Sequence, residues 1–185
     1  FTNSIVRENR IYDINIDTCN NYITNITGSG GRAIEFYNYT ATIQNKLLGG
    51  LFLCNISNSI VNNVTIQGSD ILNNSLLQLM WVFNTAFSNI NSSNNYWGID
   101  LDSSNTNNTF TNITVNSNLF YGIIITSSNN TLTNITANSN GQYGIAISGN
   151  SKNNNITNSI LQENRVSDIF IDNSAAVNCN NYITN

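Results

Sequence analysis

The chain repeats a short pattern about every 22 to 24 residues. One motif has an aromatic or polar residue, then Gly or Asp, Ile, a variable residue and Ile or Leu, and it occurs at 12–16, 97–101, 121–125, 143–147 and 167–171. A second motif, an apolar residue followed by Ser or Thr and Asn, occurs at 1–3, 23–25, 87–89, 110–112, 132–134 and 156–158. Self-similarity at a fixed short period is typical of a solenoid.

The pattern within one repeat predicts short strands. Ile145 and Ile147 share one face of a strand, and Gly144 and Ala146 share the other. Polar segments rich in Asn, Ser and Gly separate three such runs in each repeat, which is turn chemistry. We therefore predict an all-β fold, a right-handed parallel β-helix (solenoid) of about eight coils of roughly 22–24 residues, with three short strands per coil.

Stacked coils place equivalent side chains above one another. We predict two inward files of apolar side chains, the first formed by Ile14, Ile34, Ile99, Ile123, Ile145 and Ile169 and the second by Ile16, Phe36, Leu101, Ile125, Ile147 and Ile171. Asn amides at coil corners are expected to bond from coil to coil. The predicted corner ladders are Asn3, Asn25, Asn89, Asn112, Asn134 and Asn158, and Asn9, Asn94, Asn118, Asn140 and Asn164.

Composition limits the classes of function. Only 9% of the 185 residues are charged and the net charge is -4, so we expect no nucleic-acid partner. Histidine is absent, which excludes imidazole catalysis and His-based metal sites. Proline is absent too, so every residue can donate to a strand ladder. No apolar stretch is long enough for a membrane span, and no cofactor is expected.

The segment Asn129–Asn134 and the run Asn140–Ile147 resemble a known family. They are similar to the parallel β-helix repeat of the pectin-lyase-like superfamily, and most similar to NosD-type repeats and to Asn-rich archaeal adhesin-like surface proteins. The resemblance is best over residues 87–185 and weak over 37–86. It implies the solenoid fold, but family members include lyases, hydrolases, binding modules and passive surface scaffolds.

The two ends of the sequence match each other. Residues 1–25 resemble 156–185, and both ends contain Cys-Asn-Asn-Tyr-Ile-Thr-Asn, at 19–25 and 179–185. We interpret 1–185 as a single β-solenoid domain and as a window of a longer tandem-repeat protein, with a larger repeat of about 155 residues. Exposed strand ends would also allow copies to stack as a fibre.

Three cysteines, Cys19, Cys54 and Cys179, cannot all pair within one chain. Two interpretations stay open at this point. The cysteines are small buried apolar residues, or they form a bond between subunits.

Candidate chemistry is sparse. Asp100 and Asp102 lie two apart on one strand and are the candidate carboxylate or Ca²⁺ pair, against the alternative of a solvated face. A second cluster of Arg10, Asp13, Asp17, Arg32 and Glu35 is either an acid–base or cation site, with Glu35 over Asn15, or a salt-bridged surface. We predict no catalytic residue and no enzymatic activity.

Two surfaces are candidates for recognition. Tyr12, Trp97, Tyr121 and Tyr143 form either a sugar-binding stripe or an aromatic stack beside a turn. The run 76–83 is apolar on both strand faces, so one face needs a cover. We predict a lateral interface formed by Leu77, Leu79, Trp81 and Phe83.

Glycosylation sequons are dense. Those at Asn38, Asn107 and Asn129 fall in turns and are the predicted sites, whereas a sequon in a buried ladder cannot carry a glycan. Together these features lead us to expect a structural component of the cell exterior, a glycosylated fibre, sheath or adhesin stalk that associates with itself or with other surface components. The alternative is a carbohydrate-binding or polysaccharide-cleaving domain.

Overall fold

The computed structural model describes residues 1–172 and 180–184, and these fold as a parallel β-solenoid of about eight turns. The strands are β1 (Thr2–Ile5), β2 (Thr24–Thr27), β3 (Ala33–Tyr37), β4 (Thr42–Ser57), β5 (Ile60–Ile66), β6 (Leu77–Phe83), β7 (Ala86–Asn91), β8 (Ile99–Leu101), β9 (Thr109–Thr114), β10 (Tyr121–Ile125), β11 (Thr131–Asn138), β12 (Tyr143–Ile147), β13 (Asn155–Thr157), β14 (Ile160–Gln162), β15 (Ser167–Ile171) and β16 (Tyr182–Thr184). A single turn of 3-10 helix, Ser29–Gly31, lies between β2 and β3. Cys179 lies outside the described residues.

The strands form one sheet with two arms that meet in the long strand β4. Arm A runs through β4, β6, β8, β10, β12 and β15, and arm B runs through β4, β5, β7, β9, β11, β13 and β16. Neighbours within each arm are parallel and lie one coil apart in sequence. The predicted all-β solenoid is therefore confirmed.

Each coil is bent at an asparagine in arm B. Asn134 adopts a φ of 56° in the middle of β11, and in the last coil the bend separates β13 from β14. Asparagine tolerates this left-handed conformation better than other residues with a side chain. The bend explains why the sequence shows three short apolar runs per coil while two strands are assigned to most coils.

The core lies between the two arms and consists of vertical files. Arm A contributes the file Leu51, Leu77, Ile99, Ile123, Ile145, Ile169 and the file Leu53, Leu79, Leu101, Ile125, Ile147, Ile171. Arm B contributes Phe87 and Phe110, whose rings stack with centroids 4.6 Å apart. The predicted files are confirmed from Ile99 and Leu101 to Ile169 and Ile171.

The first members of both predicted files need correction. Ile34 pairs with Gly50 and Phe36 pairs with Phe52, so both side chains face outward from arm A. Ile14 and Ile16 lie outside any strand and belong to a second apolar cluster on that outer face. The first coil lies beside the solenoid axis, and a sequence repeat of constant length does not predict this displacement.

The predicted lateral interface also needs correction. Leu77 and Leu79 are fully buried in the solenoid interior, so they cannot contact a partner. Phe83 is partly buried, and Trp81, with a φ of 57°, is 56% exposed. Leu76 and Met80 face the other side of the strand and are buried in the second apolar cluster. The apolar outer face of β6 is therefore covered by residues of the same chain.

The corner asparagines do bond from coil to coil, but at the surface. The Asn112 amide donates to Asn89 and the Asn134 amide donates to Asn112, both at 3.2 Å, and all three are exposed. The second predicted ladder contains Asn95 rather than Asn94, followed by Asn118, Asn140 and the partly buried Asn164. Asn9 is not part of it, because its amide donates to Asp13 of its own coil. In that ladder, each side-chain oxygen accepts from the backbone N–H of the preceding coil.

A third ladder was not predicted. It is formed by Asn108, Asn130, Asn154 and Asn181, with N–H to Oδ1 distances of 3.1, 3.0 and 2.9 Å. Asn108, Asn130 and Asn154 are almost completely buried, so their amides satisfy corner N–H groups that water cannot reach. The pairs Asn107–Asn108, Asn129–Asn130, Asn153–Asn154 and Asn180–Asn181 mark this ladder in the sequence.

Candidate functional site: the outer face of arm A

Residues 1–27, which we call the N-terminal coil, lie on the outer face of arm A. Ile14, Ile16, Ile23 and Ile26 of this coil are each 7% exposed or less. They pack against outward-facing apolar residues of β3, β4 and β6 and the residue before β6, namely Ile34, Phe52, Cys54, Leu76 and Met80. Burial of several large apolar side chains, at about 1.5–3 kcal/mol each, holds the N-terminal coil in place.

Polar contacts fix the position of the N-terminal coil. The Asp13 carboxylate accepts from the Ser29 backbone N–H at 2.6 Å and from the Asn74 amide at 3.1 Å. The same Asn74 amide donates to the backbone carbonyl of Asn9, and the Ser69 hydroxyl donates to the Glu8 carboxylate at 2.7 Å. These directional bonds select one orientation of the N-terminal coil on arm A.

The N-terminal coil is also tied covalently to arm A. Cys19 and Cys54 form a disulfide with a Cα–Cα distance of 5.3 Å across 35 positions of sequence. A loop of this length corresponds to about 4 kcal/mol of stabilisation in the chain-entropy treatment. Neither interpretation of the cysteines drawn from the sequence fits Cys19 and Cys54, because two of an odd number can pair within the chain.

The strands β2 and β3 join the N-terminal coil to the solenoid in an unusual way. They are antiparallel, with Ile26 opposite Ile34, whereas the other strand pairs within 1–172 and 180–184 are parallel. The reversal occurs at Gly28–Arg32, where Gly30 and Gly31 adopt φ values of 62° and 70°. This turn reverses the chain direction and places the N-terminal coil beside the axis.

Asp100 and Asp102 lie at the border of the surface that the N-terminal coil covers. Asp100 pairs with Gln78 and faces outward, and burial together with the neighbouring Asp102 raises the pKa of Asp100 to about 7. Asp102 accepts from the backbone N–H of Ser104 at 2.9 Å. The described residues contain no group of three or more Asp, Glu, Cys or His placed to share a metal ion.

Two buried polar atoms beside Asp100 have no hydrogen-bond partner. They are the Tyr12 hydroxyl and the Gln78 Oε1 atom, and Gln78 is only 8% exposed. Burial raises the pKa of Tyr12, and the charges of Tyr96 and Asp100 raise it further. The burial that leaves these atoms without partners also disfavours the charged form of Asp100.

An aromatic stack continues along the uncovered part of arm A. The rings of Trp97, Tyr121, Tyr143 and Phe170 follow one another with centroids 5.8, 5.6 and 4.6 Å apart. Tyr12 meets the edge of Trp97 from the N-terminal coil. The aromatic-stack interpretation is confirmed, and the stack gains Phe170, which the sequence motif did not mark.

The second charged cluster does not form one site. Glu35 lies at an inward position of the first axial coil and pairs with Lys46 at 2.6 Å, and the Tyr37 hydroxyl donates to Glu35 at 2.8 Å. Arg32 pairs instead with Asp70, and Asp13 bonds Ser29 and Asn74. Because β4, rather than residues 12–16, follows β3 in the stack, Glu35 does not stand over Asn15. Neither interpretation of this cluster is correct, because the ion pairs of Arg32 and Glu35 are made with Asp70 and Lys46, which lie outside it.

The three predicted glycan acceptors are accessible. Asn38, Asn107 and Asn129 are exposed, and the last two are corner residues with φ values of 57° and 60°. The argument that excluded ladder asparagines needs correction, because Asn25, Asn112 and Asn134 belong to the exposed ladder.

Comparisons with known proteins supply no further assignment. No protein-family model, no curated protein and no solved structure matches this chain. In the part of the chain that the structure describes, no helix is long and apolar enough to cross a membrane. The parallel β-solenoid is therefore established by the structure alone.

Proposed function

We propose that this chain is a structural component of the cell exterior, a β-solenoid of the pectin-lyase-like, NosD-type and adhesin-like kind that builds a fibre, sheath or stalk. The Cys19–Cys54 disulfide carries this proposal. Such bonds persist in oxidising compartments and are rare in reducing ones. The disulfide fastens residues 1–27 to the solenoid, which suits a mechanical role.

The surface chemistry supports the same role. Only 9% of residues are charged, and uncharged amides and hydroxyls supply most of the polar surface. Asparagine ladders tie each coil to the next through side-chain and backbone bonds. A rod held together in this way depends little on ionic strength, because salt screens charges and leaves neutral hydrogen bonds largely unchanged.

The proposal is tested on the native protein in its source cells. Immunogold electron microscopy should place the label on the outer surface, and mass spectrometry of the isolated protein should find the Cys19–Cys54 bond and glycans on Asn38, Asn107 or Asn129. Cytoplasmic label together with reduced Cys19 and Cys54 would refute the exterior role.

A second candidate function is carbohydrate binding. Two adjoining hollows of about 200 and 240 Å³ lie between β2 and β3; Tyr39 lines both, and Tyr22 lines the larger one. Both rings are more than half exposed, and Asn25, Asn38 and Glu35 supply polar groups beside them. Exposed tyrosine rings flanked by amides suit the stacking and hydrogen bonding that sugars require.

Titration of neutral and acidic oligosaccharides by calorimetry tests this alternative. Binding that Tyr39→Ala removes, and that the distant Tyr182→Ala retains, would favour it. Turnover of acidic polysaccharide, abolished by Glu35→Ala, would favour an enzyme over a binding module.

A further inference from the structure

A hollow of about 500 Å³ lies where three separate segments of the chain meet. These segments are the N-terminal coil, the connection between β5 and β6 (residues 67–76), and the turns before β8 and β10. They contribute Arg10 and Ile11, residues 71–73, and Tyr96, Leu119 and Phe120. Sites for small molecules span roughly 300–1,000 Å³, so the hollow has room for one small ligand.

Hydrogen bonds between the segments hold the hollow in shape. The Asn73 side-chain amide donates to the Ser117 carbonyl at 3.3 Å, which ties the β5–β6 connection to the turn before β10. On the other side, the Asn74 amide donates to the Asn9 carbonyl of the N-terminal coil at 2.8 Å. Because the connection is held on both sides, the hollow is preformed, and a ligand pays little to order its walls.

Apolar side chains that stay in contact with water line most of the hollow. Ile71 is 84% exposed, and Leu119 and Ile11 are 48% and 46% exposed. The rings of Tyr96 and Phe120 complete the lining, with centroids 4.7 Å apart and planes tilted by 49°. Single exposed apolar residues are ordinary, but a cluster of them in a concave surface is typical of a binding site.

The next coil differs at the same corner. Leu119 and Gly141 each follow a ladder asparagine, and the Gln142 N–H donates to the Phe120 carbonyl at 2.8 Å. Successive coils therefore place Leu119–Phe120 and Gly141–Gln142 at equivalent positions. The apolar lining is confined to the part of the corner that the N-terminal coil and the β5–β6 connection surround. This restriction indicates a ligand rather than coil stacking, which would need the same lining in each coil.

Arg10 carries the positive charge of the hollow. Within residues 1–172 and 180–184, its guanidinium makes no ion pair and no hydrogen bond. Carboxylates of the same coil are engaged elsewhere, since Glu8 accepts from the Ser69 hydroxyl and Asp13 accepts from the Ser29 backbone N–H. An unpaired guanidinium offers a planar fork that a carboxylate can meet with two hydrogen bonds.

We propose that this hollow binds a small aromatic carboxylate. Its carboxylate accepts from the Arg10 guanidinium, and its flat apolar body packs against Ile71 and Leu119. The tilted rings of Tyr96 and Phe120 offer a face and an edge to a third ring, which favours an aromatic body over an aliphatic one. The site is separate from the hollows between β2 and β3, and its test does not depend on where the protein resides or on whether it binds sugars.

Calorimetric titration of the intact, oxidised chain with 2-naphthoate and with 2-naphthamide tests the site. The two probes share a ring system and nearly the same shape, but only the first is charged. The Kd of 2-naphthoate should be at least about fivefold lower, because the amide cannot form the charge-assisted hydrogen bonds with Arg10. Equal affinity for the two probes, or no binding of 2-naphthoate, would overturn the proposal.

The chain supplies a matched pair of arginine variants. Phe1–Asp17 and Ile156–Asp172 align without a gap, which makes Arg165 the equivalent of Arg10. Both arginines are exposed, but Arg165 does not line this hollow. Arg10→Gln should raise the Kd of 2-naphthoate at least about fivefold and leave that of 2-naphthamide unchanged, whereas Arg165→Gln should change neither. Equal values of the Kd in the two variants would contradict the proposed site.

Variants of the apolar lining test the position of the ring. Phe120→Gln installs the residue that the next coil carries at this corner, Gln142, and should raise the Kd of both probes at least about fivefold. Should this variant fail to fold, Ile71→Ser decides, because substitution of a largely exposed side chain rarely changes stability. Ile71→Ser should raise the Kd of both probes about threefold. Unchanged affinity in a variant with a native circular dichroism spectrum would overturn the proposal.

Sedimentation distinguishes this ligand from a second copy of the chain as the occupant of the hollow. Ile71→Ser should leave the sedimentation of the chain unchanged. Self-association that Ile71→Ser abolishes, and that 2-naphthoate does not displace, would assign the hollow to a second copy and refute the proposal.

Discussion

The N-terminal coil and the C-terminal coil, which we define as residues 156–172 and 180–184, have similar sequences, and the bonds between Asn9 and Asp13 recur between Asn164 and Asp168, yet their surroundings differ. Ile16 is buried against arm A, whereas its counterpart Ile171 is 40% exposed at the end of the core. Asp13 bonds two groups of the solenoid, whereas among the described residues Asp168 accepts from Asn164 of its own coil. In a repeat protein the stability of a coil comes mainly from its neighbours, so these coils should differ in stability despite their sequence.

We expect removal of the disulfide to have the largest effect on the stability of the N-terminal coil. Cys19→Ser should destabilise the N-terminal coil by about 4 kcal/mol, because the loop closed by the bond becomes free in the unfolded state. Limited proteolysis should then cut within residues 1–27 first. Cys179→Ser serves as the control and should leave the cleavage pattern of the N-terminal coil unchanged.

The same apolar truncation at equivalent positions should have unequal effects. Ile16→Ala removes a fully buried side chain and should lower the free energy of unfolding by about 3 kcal/mol. Ile171→Ala, at a half-open position, should lower it by about 1 kcal/mol or less. Urea unfolding measures both, and equal losses would mean that the N-terminal coil is not packed on arm A.

Asp13 and Asp168 occupy equivalent positions, and their substitution compares the two coils through polar contacts. Asp13→Asn should destabilise by about 2 kcal/mol, because a charged acceptor for the Ser29 N–H and the Asn74 amide is lost. Asp168→Asn should change stability by less than about 0.5 kcal/mol, as is usual for surface substitutions. A reversed order of these two losses would contradict the described contacts.

The smallest expected effect is a pH dependence of stability caused by Asp100, at the border of the surface that the N-terminal coil covers. The raised pKa of Asp100, about 7, means that the unfolded chain loses this proton at lower pH than the folded protein. Its contribution to stability is therefore complete below about pH 4 and is lost as the pH rises to 7, by about 1 kcal/mol or more. Asp100→Asn should flatten the curve between pH 4 and 7. The exposed Asp17→Asn, used as the control, should not.

The repeat period was sufficient to predict the regular coils. From Ile99 to Ile171, units of nearly constant length place equivalent side chains in register, and the predicted files are correct there. The prediction failed at Ile14 and Ile34, because the chain reverses at Gly30–Gly31 and the first coil moves beside the axis. No spacing in the sequence signals that change.

The candidate site was less accessible to sequence reasoning. The apolar faces of the run 76–83 correctly required a cover, but its source, residues 1–27, became evident only from the fold. The prediction of Asn94 as a ladder residue is wrong by one position. Asn94 adopts the left-handed conformation at that corner, and Asn95, which follows it, makes the ladder bond. The disulfide was missed because Cys19 and Cys54 stand at unrelated positions of the repeat.

Hydrogen exchange of the intact, oxidised chain, followed by mass spectrometry, tests the central claim most directly. The account predicts that amides of residues 11–17 and 20–24, covered by contacts with arm A and closed by the disulfide, exchange at least tenfold more slowly than those of the equivalent residues 166–172 and 180–184. Equal exchange in the two coils, or faster exchange in the first, would contradict the claim that the N-terminal coil is held on the outer face of arm A.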